Sequence, residues 1–395
     1  MKYVKSIFTQ VHCAARPGLL PSLAGASESC RGLFRAGTWD MQEYDQRRAL
    51  VTGGLGFIGS NLAIRLAQRG THVTVVDASI PGCGANPYNV CTVADRITVI
   101  HANIADADSF AAAIRDAEVI FNLAGEVSHT HSTRFPDRDL QINAFAQMRF
   151  VERCARLNPG VRIVYAGTRQ VYGVPKYLPV DESHPVQPID FNGVHKNAAE
   201  GYHLMFGRTG QLDPVILRLT NVYGPRMALN VPGQGFLGNF LRKALLQQEI
   251  EVFGDGRQLR DPAYVDDVVD AFLLAGACQR SPHRIYNVGG TEPLSLAQIG
   301  QIIAEAAGGV SIRKRPFPAE RRLIDIGSYH TDFRLIRSDY GWRPVRGFRD
   351  AIADTIEFYR SQICHYLDFA AEEAVCQPIA SSSGDLFGVS RAEPA

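Results

Sequence analysis

The sequence predicts an α/β fold, in which a doubly wound parallel sheet is joined to a smaller α/β lobe. Two observations support this prediction. Between residues 48 and 168, short apolar runs rich in β-branched residues alternate with segments of helical periodicity, a pattern typical of parallel strands joined by crossover helices. A turn with Gly53, Gly56 and Gly59 follows the first run and leads into the first helical segment. Strand, tight turn and helix in this order are typical of a Rossmann-like sheet.

The glycine turn predicts a dinucleotide site. Glycine lets the backbone approach a pyrophosphate closely, and the free N–H groups at a helix start favour that anion. The next strand ends on Asp77, at about the 20-residue spacing expected for a carboxylate that binds a ribose 2′-hydroxyl. No arginine directly follows Asp77 to bind a 2′-phosphate. The sequence therefore predicts NAD, and not NADP, as the cofactor.

The other elements follow in order along the chain. Further strands are expected at 71–76, 97–101, 118–125 and 161–168, and helices at 60–68, 105–115 and 139–156. Residues 46–220 are predicted to form the NAD-binding domain and 221–365 the smaller lobe, with 256–285 returning to the first domain. Residues 1–45, without an acidic residue before Glu28, are expected to be a disordered or misassigned extension, with a targeting segment as the alternative. Residues 366–395 are expected to form a flexible tail.

The composition excludes several classes of partner. Lys and Arg total 41 against 40 Asp and Glu, so nothing global favours nucleic acid or an acidic membrane surface. No apolar run is long enough to span a bilayer. The eight cysteines are scattered without a CxxC pair, which favours reduced thiols in a cytoplasmic protein.

Several ordered motifs carry a resemblance to a known family. From Arg48 to about Arg360 the chain resembles the extended short-chain dehydrogenases/reductases of the NAD-dependent nucleotide-sugar epimerase/dehydratase family. The motifs are TGGLGFIG at 52–59, FNLAG at 121–125, GTRQVYG at 167–173, LRLTNVYGPR at 217–226, RDPAYVDDV at 260–268 and YNVGG at 286–290.

The resemblance implies a cleft that binds NAD and a nucleotide sugar. Members are often homodimers through a helix pair, here the helices at 139–156 and 192–207. Asn103 stands where the family commonly has an aspartate at the adenine amine, and Pro262 replaces an aromatic residue. The implied substrate contacts are Thr168, Asn221, Arg260, Arg322 and Asp325. The implied cofactor contacts are Gly53, Gly56, Phe57, Ile58, Gly59, Asp77, Asn103, Ile104, Leu123, Ala124, Gly125, Asn143 and Lys196.

The catalytic base departs from the family pattern. In the family, a hydride passes from a sugar carbon to the nicotinamide while a base removes the hydroxyl proton. Thr168 would hydrogen-bond that hydroxyl, and a tyrosine four residues before a lysine is the usual base. The lysine is present as Lys196, but position 192 is asparagine, which takes up no proton at neutral pH.

Three alternatives for the base follow from this departure. Another group serves, either His195, which is expected to be a solvated helix residue, or Tyr177 brought in by a loop. Lys196 itself serves, if desolvation depresses its pKa. Or the protein binds its ligands with little turnover because Asn192 stands in place of the tyrosine.

The positions after Thr168 select among reaction types. Family dehydratases have an acid pair there and decarboxylases a glutamate, but this chain has Arg169 and Gln170. The resemblance therefore favours epimerisation, with C4 as the expected position through a transient 4-keto sugar, as in UDP-glucose 4-epimerases. The alternatives are a nucleotide-sugar oxidoreductase with net redox change and a binding protein with little turnover.

Two other clusters are given no catalytic role. The carboxylates of Asp181 and Glu182 are interpreted as a solvated loop. His129 and His131 are interpreted as part of a loop over the cofactor, because no third ligand accompanies them, and no metal is predicted.

Overall fold

A computed structural model describes residues 34–35, 38–39, 41–231, 235–278 and 281–367. The predictions for residues 1–33 and 368–395 lie outside the described residues. A two-residue antiparallel ladder joins Phe34–Arg35 to Thr38–Trp39 ahead of the main fold. The strands that follow are β1 (Arg48–Thr52), β2 (His72–Asp77), β3 (Ile97–His101), β4 (Val119–Asn122), β5 (Arg162–Thr168), β6 (Asp213–Leu219), β7 (Val222–Tyr223), β8 (Ile250–Phe253), β9 (Leu259–Arg260), β10 (Ala263–Tyr264), β11 (Ile285–Val288), β12 (Leu294–Ser295) and β13 (Ile312–Arg315).

The helices surround these strands. They are α1 (Phe57–Ala67), α2 (Ala111–Asp116), α3 (His129–Arg134), α4 (Pro136–Leu140), α5 (Ala146–Leu157), α6 (Phe191–Arg208), α7 (Phe236–Leu245), α8 (Val265–Ala277), α9 (Leu296–Ala306), α10 (Ala319–Arg322), α11 (Arg334–Tyr340) and α12 (Phe348–Gln362). Short 3₁₀ turns cover Met41–Tyr44, Pro87–Val93, Ile104–Phe110, Arg169–Tyr172 and Ile363–His365, and a π-helical turn covers Gln141–Phe145.

Seven strands form one parallel sheet in the order β11-β6-β5-β4-β1-β2-β3. Leu50 and Val51 on β1 are both fully buried, because helices cover both faces of the sheet and leave no solvent side. The order around β1 reverses direction along the chain, which places ligands at the carboxyl ends of the strands. The predicted fold class, a Rossmann-like doubly wound sheet, is confirmed.

Two predicted helices are interrupted. The segment expected as one helix at 105–115 begins as a 3₁₀ turn before α2, and the segment at 139–156 contains the π turn between α4 and α5. The π turn places the buried Asn143 against the backbone of Glu126. The N–H of Glu126 donates to Asn143 Oδ1 at 3.0 Å, and Asn143 Nδ2 donates to the carbonyl of Glu126 at 2.9 Å. Side-chain periodicity carries no signal for this one-residue irregularity.

The second half of the chain returns to the sheet twice. Helix α8 packs beside α1, where Arg65 lies 2.9 Å from Asp266 and 3.0 Å from Asp270. Strand β11 forms the outer strand of the sheet beside β6, so a boundary at residue 285 divides a strand of the sheet. The pairs β8/β13 and β9/β12 lie outside the sheet. The domain limits otherwise remain predictions.

Three predictions about the periphery need comment. Tyr44, within the predicted extension, is buried, and its hydroxyl donates to the carbonyl of Leu273 at 2.6 Å, so the folded chain begins before residue 45. Cys278 is disulfide-bonded, so the prediction of reduced thiols is wrong for this residue. Among the described residues, no helix is long and apolar enough to cross a membrane. The cytoplasmic location remains a prediction.

The glycine turn joins β1 to α1 by direct backbone contact. Gly53 has a φ of +69°, and its carbonyl accepts the N–H of Gly56 at 3.1 Å. A Cβ at Gly59 would overlap with that same carbonyl oxygen. The N–H of Leu55 donates to Asp77 Oδ2 at 3.0 Å, which fastens the turn to the end of β2.

We expect Gly59→Ala to lower the free energy of unfolding by about 2–3 kcal/mol, because the overlapping atom is backbone and no side chain can move aside. Gly347→Ala is the matched control, since a Cβ there meets nothing within 4 Å and the change should cost less than about 1 kcal/mol. Urea denaturation followed by circular dichroism measures both. Equal stabilities of the two variants would contradict this account of the turn.

Candidate active site

A cavity of about 690 Å³ lies at the carboxyl edge of the sheet. The glycine turn, the ends of β2, β4 and β5, and segments of the second half line it. Most residues assigned by resemblance meet there: Gly53, Gly56, Phe57, Ile58, Gly59, Asp77, Asn103, Ile104, Leu123, Ala124, Gly125, Thr168, Asn192, Lys196, Asn221, Arg260 and Asp325.

Two assigned residues do not line the cavity. Asn143 is buried behind it and holds the backbone of Glu126, as described above. Arg322 ends the short helix α10 with an exposed side chain, so a direct contact between Arg322 and a ligand in the cavity remains a prediction.

The cofactor end of the cavity fits a dinucleotide. No side chain caps the N-terminus of α1 after Gly56, so the first N–H groups of the helix are available to a phosphate. The N–H groups of Leu55 and Ser79 donate to the two oxygens of Asp77 at 3.0 and 2.8 Å. They fix the carboxylate at the end of β2, where a ribose hydroxyl would lie. Asn103 Oδ1 already accepts the N–H of Ala105 at 2.9 Å, and a second lone pair remains for an adenine amine.

Lys196 and Thr168, the two residues predicted to be catalytic, both line the cavity. The ammonium of Lys196 donates to the carbonyl of Ala166 at 2.7 Å and lies 4.5 Å from the ring centroid of Tyr165. Burial lowers the pKa of Lys196 to about 8, although nearby carboxylates partly oppose this shift. Thr168 ends β5, and its Oγ1 accepts the N–H of Gln170 at 3.3 Å, which leaves the hydroxyl hydrogen for another acceptor.

Asn192 is a structural residue in this fold. Its Nδ2 donates to the carbonyl of Glu126 at 2.9 Å and to Asp139 Oδ2 at 3.0 Å, and the residue is 2% exposed. The amide therefore ties the loop after β4 to α4 and α6. The side chain at position 192 therefore holds two backbone segments together by buried hydrogen bonds, and it is not a proton acceptor.

The structure sorts the three groups that the sequence left open as bases. The expectation that His195 is solvated is wrong, because its side chain is buried and its Nδ1 lies 2.7 Å from Asp139 Oδ1. Tyr177 is exposed and donates to Asp181 Oδ1 at 2.8 Å. Neither side chain lines the cavity, whereas Lys196 does.

The acid pair interpreted as a solvated loop is partly structural. Glu182 Oε1 accepts the N–H of Asn287 at 2.7 Å, and burial raises the pKa of this carboxyl. Both Asp181 and Glu182 are partly buried and lie outside the cavity lining. The interpretation as a solvated loop is wrong for Glu182 because its partner, on β11, lies more than a hundred residues further along the chain. No local sequence pattern indicates such a contact.

Two buried guanidinium groups line the cavity. Arg169 Nη2 donates to Asn221 Oδ1 at 2.9 Å, and no group among the described residues hydrogen-bonds its buried Nη1. Arg260 donates to the carbonyls of Leu259 and Gly327 at 2.7 and 2.6 Å. Burial, followed by the charge of Arg169, lowers the pKa of Arg260 to about 9. Because the charge of Arg169 acts on Arg260, an anion bound between the two cations would stabilise both.

The loop after β4 also contributes two cavity residues to which the sequence analysis assigns no chemical role. Glu126 and His129 both line the cavity. His129 Nδ1 lies 3.0 Å from Oδ2 of the buried Asp190, whose Oδ1 accepts the N–H of Gly193 and caps α6. Within the described part of the chain, no group of three potential ligands is placed to hold a metal ion.

Comparison with known proteins agrees with this geometry. A sequence model of the NAD dependent epimerase/dehydratase family matches residues 49–289. The chain is 34% identical over 317 residues to a UDP-glucose 4-epimerase of Mycolicibacterium smegmatis, covering 80% of this chain and 99% of the relative.

Solved structures are similar over the same region. A Thermotoga maritima UDP-glucose 4-epimerase with UDP-glucose has a TM-score of 0.72 at 28% identity, covering 80% of this chain and 99% of the other. A dTDP-glucose 4,6-dehydratase of Streptomyces venezuelae with NAD bound has a TM-score of 0.73 at 26% identity, covering 81% and 98%. The predicted family resemblance and the predicted cofactor are confirmed. The chain belongs to the NAD-dependent epimerase/dehydratase family.

Proposed function

We propose that the protein epimerises a nucleotide sugar with NAD, at C4 and through a transient 4-keto sugar. The observation that carries the proposal is the composition of one cavity wall. Thr168 and Lys196 line it, and Arg169 and Gln170 stand where a dehydratase or decarboxylase needs carboxylates. Without a carboxylate at these two positions, the site lacks the acid–base group that removal of water or of CO₂ requires in the family.

The chain's own residues bind and orient the reactants. NAD supplies a reversible hydride acceptor at the sugar carbon. The glycine turn and Asp77 would hold its pyrophosphate and ribose, and the Lys196 ammonium would hold the nicotinamide ribose. Thr168 would orient the reacting hydroxyl by a hydrogen bond.

The substrate diphosphate would lie between the two buried guanidiniums. Asn221, already bonded to Arg169, and Arg260 would supply further donors. Asp325, held by Gln258 at 2.6 Å, would contact the nucleoside end. The similarity to the M. smegmatis UDP-glucose 4-epimerase makes UDP-glucose the first substrate to test.

A panel of UDP-, GDP-, dTDP- and CDP-sugars followed by NMR tests the proposal. We expect inversion at C4 without accumulation of NADH, because the hydride returns to the same sugar carbon. Net NADH production would support the oxidoreductase alternative instead. Tight binding of nucleotide sugars without conversion would favour the binding-protein alternative and contradict both enzymatic readings.

Lys196 gives a prediction for stability. In the unfolded chain its amine keeps its proton up to a pH of about 10.4, but in the fold it loses it above about 8. Between these values the unfolded state binds more protons, so wild-type stability rises with pH relative to a variant without the amine. We expect Lys196→Met to be more stable than wild type at pH 7 by about 1–3 kcal/mol, with the gap closing from pH 8 to 10.

Thermal melts of the cofactor-free protein across this pH range measure the gap. Lys176→Met, at an exposed position, controls for loss of a lysine as such. A constant gap between wild type and Lys196→Met from pH 7 to 10 would contradict a depressed pKa for Lys196.

We also propose that two copies associate through α6 and the segment before α5. Apolar side chains are exposed there, with Phe191 at 46%, Val194 at 47%, Met205 at 56% and Phe145 at 43%. Val194 and Met205 lie three helical turns apart on one face of α6. Such a continuous apolar face supports an interface between identical chains.

The paired substitution Val194→Glu and Met205→Glu should convert a dimer to a monomer, because it buries two charges in the interface. Light scattering coupled to size-exclusion chromatography measures the mass. Val345→Glu, another exposed apolar position, should leave the mass unchanged. A wild-type protein with the mass of a monomer would contradict the proposal.

A further inference from the structure

We propose that His129, oriented by Asp190, is the acid–base group that removes and returns the proton of the reacting sugar hydroxyl. This inference rests on the proposed function and deepens it, because it assigns the role that position 192 leaves vacant. Neither residue belongs to the Tyr-x-x-x-Lys pattern of the family. Both are placed by the loop after β4 and by the start of α6.

The pair has the geometry of an oriented imidazole. His129 Nδ1 lies 3.0 Å from Asp190 Oδ2, and the Asp190 side chain is 1% exposed. Burial alone would raise the pKa of Asp190, but hydrogen bonds from His129, Gly193 and Gln170 lower it below its ordinary value. The carboxylate is therefore ionised at neutral pH and accepts the proton on Nδ1. This fixes the tautomer in which Nε2 carries the lone pair.

Among the described residues, Nε2 of His129 has no competing partner. His129 lines the cavity and its side chain is 33% exposed. No group among the residues that the structure describes hydrogen-bonds Nε2, since the polar contacts of the ring are all at Nδ1. Imidazole is also the side chain that most often serves as a general acid and base in enzymes.

The pair lies on the wall that carries Thr168. Gln170 Nε2 donates to Asp190 Oδ2 at 3.1 Å, and the N–H of the same Gln170 donates to Thr168 Oγ1 at 3.3 Å. One residue therefore connects the carboxylate that orients His129 to the hydroxyl that would orient the substrate. His129, Gln170 and Thr168 all line the cavity.

Each of the other carboxylates, amines and thiols that line the cavity has a partner among the described residues. The carboxylate of Glu126 contacts the ring of His131. Its second oxygen lies 3.3 Å from Arg138 Nε as an ion pair, without a hydrogen bond from any described residue. The Lys196 ammonium donates to a carbonyl. The remaining ones and their partners are Asp77 with two backbone N–H groups, Glu251 with Lys243 and Arg315, Asp325 with Gln258, and Cys83 with Arg138.

Asn192 connects the position of the missing tyrosine to the loop that carries His129. Its amide and that of Asn143 both hold the carbonyl of Glu126, three residues before His129. The residue that replaces the usual tyrosine thus anchors the loop that presents the imidazole. A tyrosine at 192 has a single hydroxyl donor at a different distance from the backbone, so it replaces neither hydrogen bond of the amide.

The proton balance of the proposed step is simple. The O–H bond of the sugar breaks and its proton goes to His129 Nε2. The oxygen forms C=O with the carbon, whose hydrogen leaves as hydride to the nicotinamide. On return the carbonyl carbon regains the hydride on its other face, and the imidazolium gives the proton back to the oxygen. Asp190 keeps its charge throughout and stabilises the imidazolium.

Steady-state kinetics with UDP-glucose test the role. We expect His129→Gln to lower kcat by about 100-fold or more with KM within about threefold of wild type, since general-base catalysis contributes 10² to 10⁴. Added imidazole should restore part of the rate in His129→Ala, which a merely structural role would not allow. His72→Gln, at an exposed position on β2, should retain wild-type kcat.

Two further variants separate orientation from chemistry. Asp190→Asn keeps an oxygen to cap α6 but loses the charge, so kcat should fall about tenfold or more without rescue by imidazole. Asn192→Tyr should be less active than wild type because the loop loses its anchor. A rise in turnover in Asn192→Tyr would overturn the proposal, because it would mean that the native site lacks a base.

A labelling experiment reads the same geometry without turnover. Diethyl pyrocarbonate acylates unprotonated imidazole, and peptide mass spectrometry locates the label. We expect UDP-glucose to protect His129 and to leave labelling of His72 unchanged. Unprotected labelling of His129, or equal kcat in wild type and His129→Gln, overturns the role of His129 alone. Failure of the wild-type protein to convert any nucleotide sugar overturns the proposed function and this role together.

Discussion

The contact between the carbonyl of Gly53 and the α-carbon of Gly59 is the constraint on which the site depends. It leaves no room for a side chain, so the end of β1 and the start of α1 are fixed against each other. The end of β4 reaches the same point, because a Cβ on Gly53 would lie 2.8 Å from the backbone nitrogen of Ala124. Three backbone segments thus meet where a pyrophosphate would bind, and the loop after β4 starts from a fixed position.

That loop connects cofactor binding to chemistry. It begins at Gly125, where an added Cβ would lie 3.6 Å from the Lys196 ammonium, and it continues through Glu126 to His129. Buried amides hold it at Glu126, and the carboxylate of Asp190 holds it at His129. In the family pattern α6 supplies both the base and the lysine. Here α6 supplies the lysine and two positioning groups, Asp190 and Asn192, while the imidazole comes from the loop.

The sequence could predict those parts of the site that depend on local pattern. The glycine turn, Asp77 and Thr168 each sit at the end of a strand, and a parallel sheet brings strand ends to one edge. Contacts between distant segments carry no such signal. Asn192 and Glu126 are 66 positions apart, so the asparagine could only be read as a missing tyrosine. The sequence predicts a solvated His195 because its partner, Asp139, lies 56 positions away on α4, beyond the reach of any local pattern.

The cations show the same limit. From the sequence, Arg169 is informative only because it stands where related enzymes have a carboxylate. Its hydrogen-bond partner, Asn221, lies 52 positions further along the chain, so no local pattern indicates this contact. Only the fold places Arg169 and Arg260 in the lining of one cavity, where burial and the charge of Arg169 lower the pKa of Arg260. For this reason the sequence predicted the cofactor better than the reaction.

A crystal structure of the protein with NADH and UDP-glucose tests the central claim most directly. The account predicts that Nε2 of His129 lies within about 3.2 Å of the C4 hydroxyl of the sugar, the reach of a general base. The Lys196 ammonium should lie at the nicotinamide ribose. An imidazole turned away from the sugar, with the Lys196 ammonium as the nearest group to that hydroxyl, would contradict it.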